Sequence, residues 1–123
     1  MAKGESILLK GRLPPSYDNT LNLTVEVRGI SATAVAGDVV IGLEFDSLNT
    51  QDFDANTFAA AVAVTATAGG TSGVMFTHTF SLTAAQLDST PAFGLFRLQL
   101  TRQNVAGDNM TGDWQGVDVV MYQ

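Results

Sequence analysis

No cysteine occurs in the 123 residues. That removes a disulfide framework, a thiolate zinc site and a cysteine nucleophile together. Histidine is almost as scarce. The single one, His78, falls in register with Val74, Phe76, Phe80 and Leu82, which places it on a buried apolar face. A serine triad needs an exposed base held by a carboxylate, and no serine lies in a Gly-x-Ser-x-Gly elbow. Basic residues are few and scattered: Lys3, Lys10, Arg12, Arg28, Arg97 and Arg102 stand against twelve acidic residues, for a net charge of −6. Nucleic-acid binding needs a cationic stripe to neutralise phosphates, usually interleaved with aromatics, so no nucleic-acid partner is expected. One tryptophan and two tyrosines make a thin platform for sugar stacking. Long apolar runs are missing too. The N-terminal run Ile7-Leu8-Leu9 is short beside the roughly seven to fifteen residues of a signal core and the roughly twenty of a membrane span, so neither export signal nor membrane association is expected.

Metal ligation is not expected either. Asp52-Phe53-Asp54-Ala55-Asn56 opens like a calcium loop, but Thr57 stands where the turn glycine belongs and Ala63 where the bidentate glutamate belongs. A looser loop site would have to use Asp46, Asp52 and Asp54. The cofactor and metal expectation is therefore none, and no catalytic residue is assigned.

What is present is period-two alternation, separated by clusters of Gly, Asn, Asp and Ser. Leu21, Leu23, Val25 and Val27 alternate with Asn22, Thr24, Glu26 and Arg28. Val39, Ile41, Leu43 and Phe45 alternate with Val40, Gly42, Glu44 and Asp46. The run from Phe58 to Thr67 is mostly alanine, valine and threonine, which suits close sheet packing, although an alanine run also fits a helix. Val74 to Leu82 is a further strand. FRLQLTRQNVAGDNMTGDWQGVDVVMYQ, from Phe96, reads as two alternating strands about a Gly/Asn/Asp turn and predicts a closing β-hairpin. Thr83-Ala84-Ala85-Gln86-Leu87 is a capping-box pattern that can close about one helical turn before Pro91.

Repeated short strands with one polar face must stack their apolar faces, and parallel crossovers would need helices that the pattern lacks. The predicted fold is all-β: an antiparallel jelly roll or β-sandwich with at most one short helix. Residues 1–12 are read as an N-terminal arm and 13–123 as a single sandwich domain.

Arg102 continues the inward alternation of Phe96, Leu98 and Leu100, where an unpaired guanidinium is costly. It requires a carboxylate. Asp108 and Asp113, across the turn, are the nearest candidates for a bidentate structural pair.

The chain also shows Leu13-Pro14-Pro15-Ser16-Tyr17 leading into a strand, then Ser31-Ala32-Thr33 and Gly37-Asp38-Val39-Val40. It closes with Phe96-Arg97-Leu98-Gln99-Leu100-Thr101-Arg102, Asp108-Asn109-Met110-Thr111-Gly112-Asp113-Trp114 and Val117-Asp118-Val119. This pattern resembles the small jelly-roll virion proteins of tailed bacteriophages, among them the capsid decoration (cement) proteins. The resemblance implies a non-enzymatic homotrimer on the outer capsid surface of the virion, made in the host cytoplasm. There it would stabilise the head by bridging major capsid proteins. The alternative it leaves open is a tail or tail-fibre jelly-roll module that binds a receptor or carbohydrate.

The arm carries an apolar patch, Ile7, Leu8 and Leu9, together with Lys3, Lys10 and Arg12. An extended segment of this kind can dock on a sheet edge of the capsid or of a neighbouring subunit. These six residues are the expected interface, and removal of residues 2–12 is expected to leave the β body folded.

Overall fold

In the computed structural model, which describes residues 1–48 and 57–123, the chain forms two packed antiparallel sheets. Seven strands follow in order: β1 Ser6–Arg12, β2 Leu23–Ser31, β3 Ala36–Ser47, β4 Val62–Gly69, β5 Met75–Leu82, β6 Leu95–Arg102 and β7 Trp114–Tyr122. The larger sheet has the order β1-β6-β3-β4 and the smaller β5-β2-β7. The all-β sandwich expected from the alternation is therefore present, with no helix among the described residues.

The apolar residues of each alternation meet between the sheets. Val25, Val27, Phe80 and Leu82 from the smaller sheet face Ile41, Leu43, Phe45, Leu98 and Leu100 from the larger, all of them buried. Each such side chain contributes about 1.5–3 kcal/mol relative to exposure. Phe45 and Phe96 pack with their rings tilted by 46° and 4.9 Å between centroids, and Trp114 is fully enclosed. β2 alternates strictly between buried and half-buried positions along its length. β3, flanked by β4 and β6, is buried on both faces over most of its length, as a central strand should be.

Strands change sheet at every connection except the β3–β4 hairpin. The nested antiparallel pairs are β3 with β4, β2 with β5 and β1 with β6, each enclosing the one before in sequence. This is jelly-roll connectivity, in which a full set of eight strands would give β7 a partner of its own. Here β7 is paired on one side by β2 and forms a sheet edge.

Two local expectations turn out differently, and a third is decided between its alternatives. Phe96 to Tyr122 is not a hairpin: β6 and β7 lie in opposite sheets, and the long connection between them tucks Asp108 and Met110 inside. Both strands bring apolar faces to one core, so they oppose each other across it instead of pairing along it. The Thr83–Gln86 box does form, Gln86 Oε1 accepting from the Thr83 N–H at 2.9 Å. It closes turns without a helix, because Asp88 and Ser89 take left-handed φ of 53° each. The alanine-rich run takes the strand reading and not the helical one: from Val62 it is β4, paired with β3 through Gly69.

Candidate functional site

Arg102 sits at the inner end of β6, 1% exposed. Its Nε donates to Asp108 Oδ2 at 3.0 Å and its Nη2 to Asp108 Oδ1 at 2.9 Å. Nη2 also donates to the Met110 carbonyl, and Nη1 to those of Gly112 and Met1. All five N–H donors of the guanidinium are thereby engaged. Asp113 is exposed and takes no part; its carbonyl accepts from the Ala32 N–H. Asp108 Oδ2 also accepts the buried Val40 N–H at 3.0 Å, and Lys3 Nζ stands 3.9 Å from Oδ1. Burial pushes the Asp108 carboxyl up, but the hydrogen bonds from Arg102 and Val40 and the charges of Arg102 and Lys3 outweigh it and hold the group below its ordinary value.

A second buried ion pair was not legible from periodicity. Arg97 alternates outward, yet its Nε donates to Asp46 Oδ2 at 2.6 Å, with Asp46 fully buried. Thr57 Oγ1 donates to Asp46 Oδ1, and the Arg97 guanidinium lies 4.8 Å from the Phe58 ring centroid. The segment after residue 56 covers this outer face, which alternation within β6 cannot reveal. Asp46 is thus the carboxylate of a structural pair. Asp52 and Asp54, the other members of the candidate metal loop, lie outside the described residues. Among the described residues no cluster of carboxylates and histidine is placed to hold a metal ion.

His78 lies inside the sandwich, one ring nitrogen 2.8 Å from the Val39 carbonyl oxygen. It packs edge-on against Trp114 with centroids 6.0 Å apart. Burial lowers its pKa, partly offset by the Val39 carbonyl and the Asp108 charge.

Residues 6–12 of the expected arm are β1, paired with β6 from Ser6↔Thr101 to Arg12↔Leu95. Ile7 and Leu9 therefore point inward beside Leu100 and Leu98, while Leu8 and Lys10 point outward beside Gln99 and Arg97. Arg12 turns to the other end of the strand, donating to the Phe93 carbonyl at 3.0 Å and lying 5.1 Å from the Phe93 ring centroid.

That end of the sandwich holds a polar cleft of about 490 Å³. Tyr17, Asp18 and Asn19 form one wall, and Ala84 with Ser89 to Ala92 the other. The second wall is held in an uncommon backbone: Asp88, Ser89 and Phe93 all have left-handed φ, each costing about 1 kcal/mol or more for a non-glycine residue. The loop is fixed by hydrogen bonds from the Ser47 N–H to Asp88 Oδ2, from Thr90 Oγ1 to the Leu87 carbonyl and from the Gly94 N–H to the Pro91 carbonyl. The Tyr17 hydroxyl is buried without a hydrogen-bond partner among the described residues. Burial, and then the neighbouring Asp18 charge, raise its pKa. Such a cleft can donate and accept hydrogen bonds toward a polar ligand. Sequence periodicity could not find it, because its residues come from two connections that meet only in the fold.

Comparison of the chain with protein-family models, with curated proteins and with solved structures returned no match.

Proposed function

We propose that this protein is a structural virion protein: a capsid decoration protein that binds the outer surface of a bacteriophage head and stabilises it by bridging major capsid proteins, as a homotrimer. The observation that carries the reading is β1. Ile7, Leu8 and Leu9 stand 37%, 52% and 37% exposed on a strand at the edge of a sheet. Exposed apolar side chains on both faces of an open edge strand, Leu8 outward and Ile7 and Leu9 inward, are unfavourable in water and favour association with another chain. Lys3, Lys10 and Arg12 flank them on an otherwise acidic chain, which suits an acidic partner surface. The rigid ion-paired body is consistent with a part that resists mechanical load.

The test is co-sedimentation of the purified protein with decoration-free capsids. Saturable binding that is lost in Leu8→Lys, with thermal resistance of the capsid rising on binding, supports the reading. Absence of binding to any capsid tested against a positive control overturns it. The polar cleft, with a Tyr17 hydroxyl that has no hydrogen-bond partner among the described residues, favours the second reading, a carbohydrate-binding tail module. Glycan-array binding that is lost in Tyr17→Phe would select that alternative.

A further inference from the structure

The two sheets differ by one strand, and the difference leaves a slot. Ile7 and Leu9 on β1 face inward, yet each is 37% exposed, whereas their cross-strand partners Leu100 and Leu98 are 2% and 1% exposed. The reason is topological. β1 is an edge strand of the larger sheet and the smaller sheet ends at β7, so no further strand among the described residues closes the space beneath the inner face of β1. The space is an apolar cleft of about 170 Å³, lined by Ile7, Leu9 and Leu100 above and by Trp114, Val117 and Val119 below.

The floor of this slot is the outer edge of β7, and its first rung is already occupied. The Trp114 N–H donates to the Met1 carbonyl at 3.1 Å, and the Met1 ammonium donates to the Trp114 carbonyl. Two reciprocal bonds of this kind define a hydrogen-bonded pair of an antiparallel ladder. The chain then turns away toward β1. From Gly116 to Tyr122 the same edge carries no further strand among the described residues.

We propose that the edge of β7 beneath β1 is an acceptor site for one extended segment of a different protein, running antiparallel to β7 and completing an eight-stranded jelly roll. Main-chain bonds to β7 continue the ladder begun at Met1, stepping past the register shift between Gly116 and Asp118, and alternate apolar side chains fill the space under Ile7 and Leu9. The intervening side chains lie on the outer face, where Glu26 and Asp118 stand against one cation, Arg28, at 2.9 and 3.8 Å; the acidic excess there favours a cation in the added strand. The occupant is a lone strand, not a strand held in the body of a second copy. A strand of the smaller sheet of another copy would bring its stacked sheet into the place that β1 already fills, and two copies cannot occupy one layer. The inference does not depend on the virion reading, since it rests on the sheet edge alone and is tested without capsids.

The probe is a capped octapeptide of alternating valine and lysine, added to the isotope-labelled full chain. A second measurement places the same octapeptide in front of Met1, so that the Met1–Trp114 rung delivers it at high effective concentration. The expected result is cross-strand proton contacts to β7 and slowing of amide exchange between Gly116 and Tyr122 by about tenfold or more. Ile7→Lys together with Leu9→Lys puts charge under β1, and should weaken peptide binding about tenfold with the chain still folded, a loss of about 1.4 kcal/mol. An octapeptide with proline at alternate positions should give neither effect. The proposal is overturned if the tethered valine–lysine strand protects β7 no better than the proline version, if the contacts fall on β4 or β5, or if β7 becomes protected by self-association of the chain without peptide.

Discussion

Arg102 and Asp108 form a two-bond ion pair inside the sandwich, at 3.0 and 2.9 Å. The pair ties the end of β6 to the connection that leads into β7, and the remaining guanidinium donors close on the carbonyls of Met1, Met110 and Gly112. A register between two sheets is thereby set by one side chain.

Removing either partner leaves the other buried and uncompensated. Arg102→Ala and Asp108→Ala should each destabilise by about 3–5 kcal/mol, and Asp113→Ala by no more than about 0.5 kcal/mol. Urea titrations of the single and double variants check this. A double-mutant cycle should show strong coupling of Arg102 with Asp108 and none with Asp113.

Two buried groups, His78 and Asp108, contribute to the pH dependence of stability, the more exposed carboxyls of Asp18 and Glu26 adding to the acid side. The His78 pKa is lowered in the fold, so the unfolded chain binds the proton more readily and the stabilisation is full above the unfolded value near 6.5, declining as pH falls below it. The Asp108 pKa is also lowered; its contribution is present above the unfolded value near 3.9 and is lost as pH falls further. Stability should therefore fall in two steps, one below about pH 6.5 and one below about pH 4. With a single histidine in the chain, His78→Gln should flatten the first step and leave the second. Thermal denaturation across that pH range is the measurement.

How much of this was readable from the chain depends on where the determinant lies. Period-two alternation located β2, β5 and the inner face of β6, because those strands have one face toward the core and a more exposed opposite face; β3 alternates in sequence as well, although it is buried on both faces. The same rule put Arg102 inside and required a carboxylate, and Asp108 lies close enough in sequence to be named. It could not choose between Asp108 and Asp113, since that depends on how the connection folds. It also joined β6 and β7 as a hairpin, because alternation says which face is apolar but not which sheet a strand enters. Arg97 was hidden for a related reason: its outward face is covered by a distant segment. The polar cleft and the slot under β1 arise from elements far apart in sequence, and no local pattern encodes them.

Glycines separate two kinds of close approach. A Cβ on Gly29 would lie 2.3 Å from the Trp114 indole, and one on Gly42 would lie 2.1 Å from the Gln103 amide nitrogen. Trp114 is fully enclosed and cannot yield, whereas Gln103 presents the mobile end of a flexible side chain on a half-buried residue. Gly29→Ala should therefore cost about 2–3 kcal/mol as an overpacked core, and Gly42→Ala less than about 1 kcal/mol. Chemical denaturation distinguishes them, and near-ultraviolet circular dichroism of the only tryptophan should change in the first variant alone.

The last prediction concerns residues 2–12. Read from sequence these are an arm whose loss leaves the body folded, but Ser6 to Arg12 form β1 along the whole of β6, and the Arg102 N–H donates to the Glu5 carbonyl at 3.0 Å. Deletion would strip β6 of its edge partner and bare Leu98 and Leu100, which are 1% and 2% exposed in the intact chain. Each contributes about 1.5–3 kcal/mol when buried, so even partial exposure removes a large share of the roughly 5–15 kcal/mol that holds a domain of this size. The truncated chain should melt at a much lower temperature or collect as aggregates, whereas Leu8→Lys, which changes only the outer face of β1, should melt within a few degrees of the parent. Calorimetry of both variants decides the matter: an unchanged melting transition in the truncated chain would show that β1 is an appendage, and that its contacts to β6 contribute little to the fold.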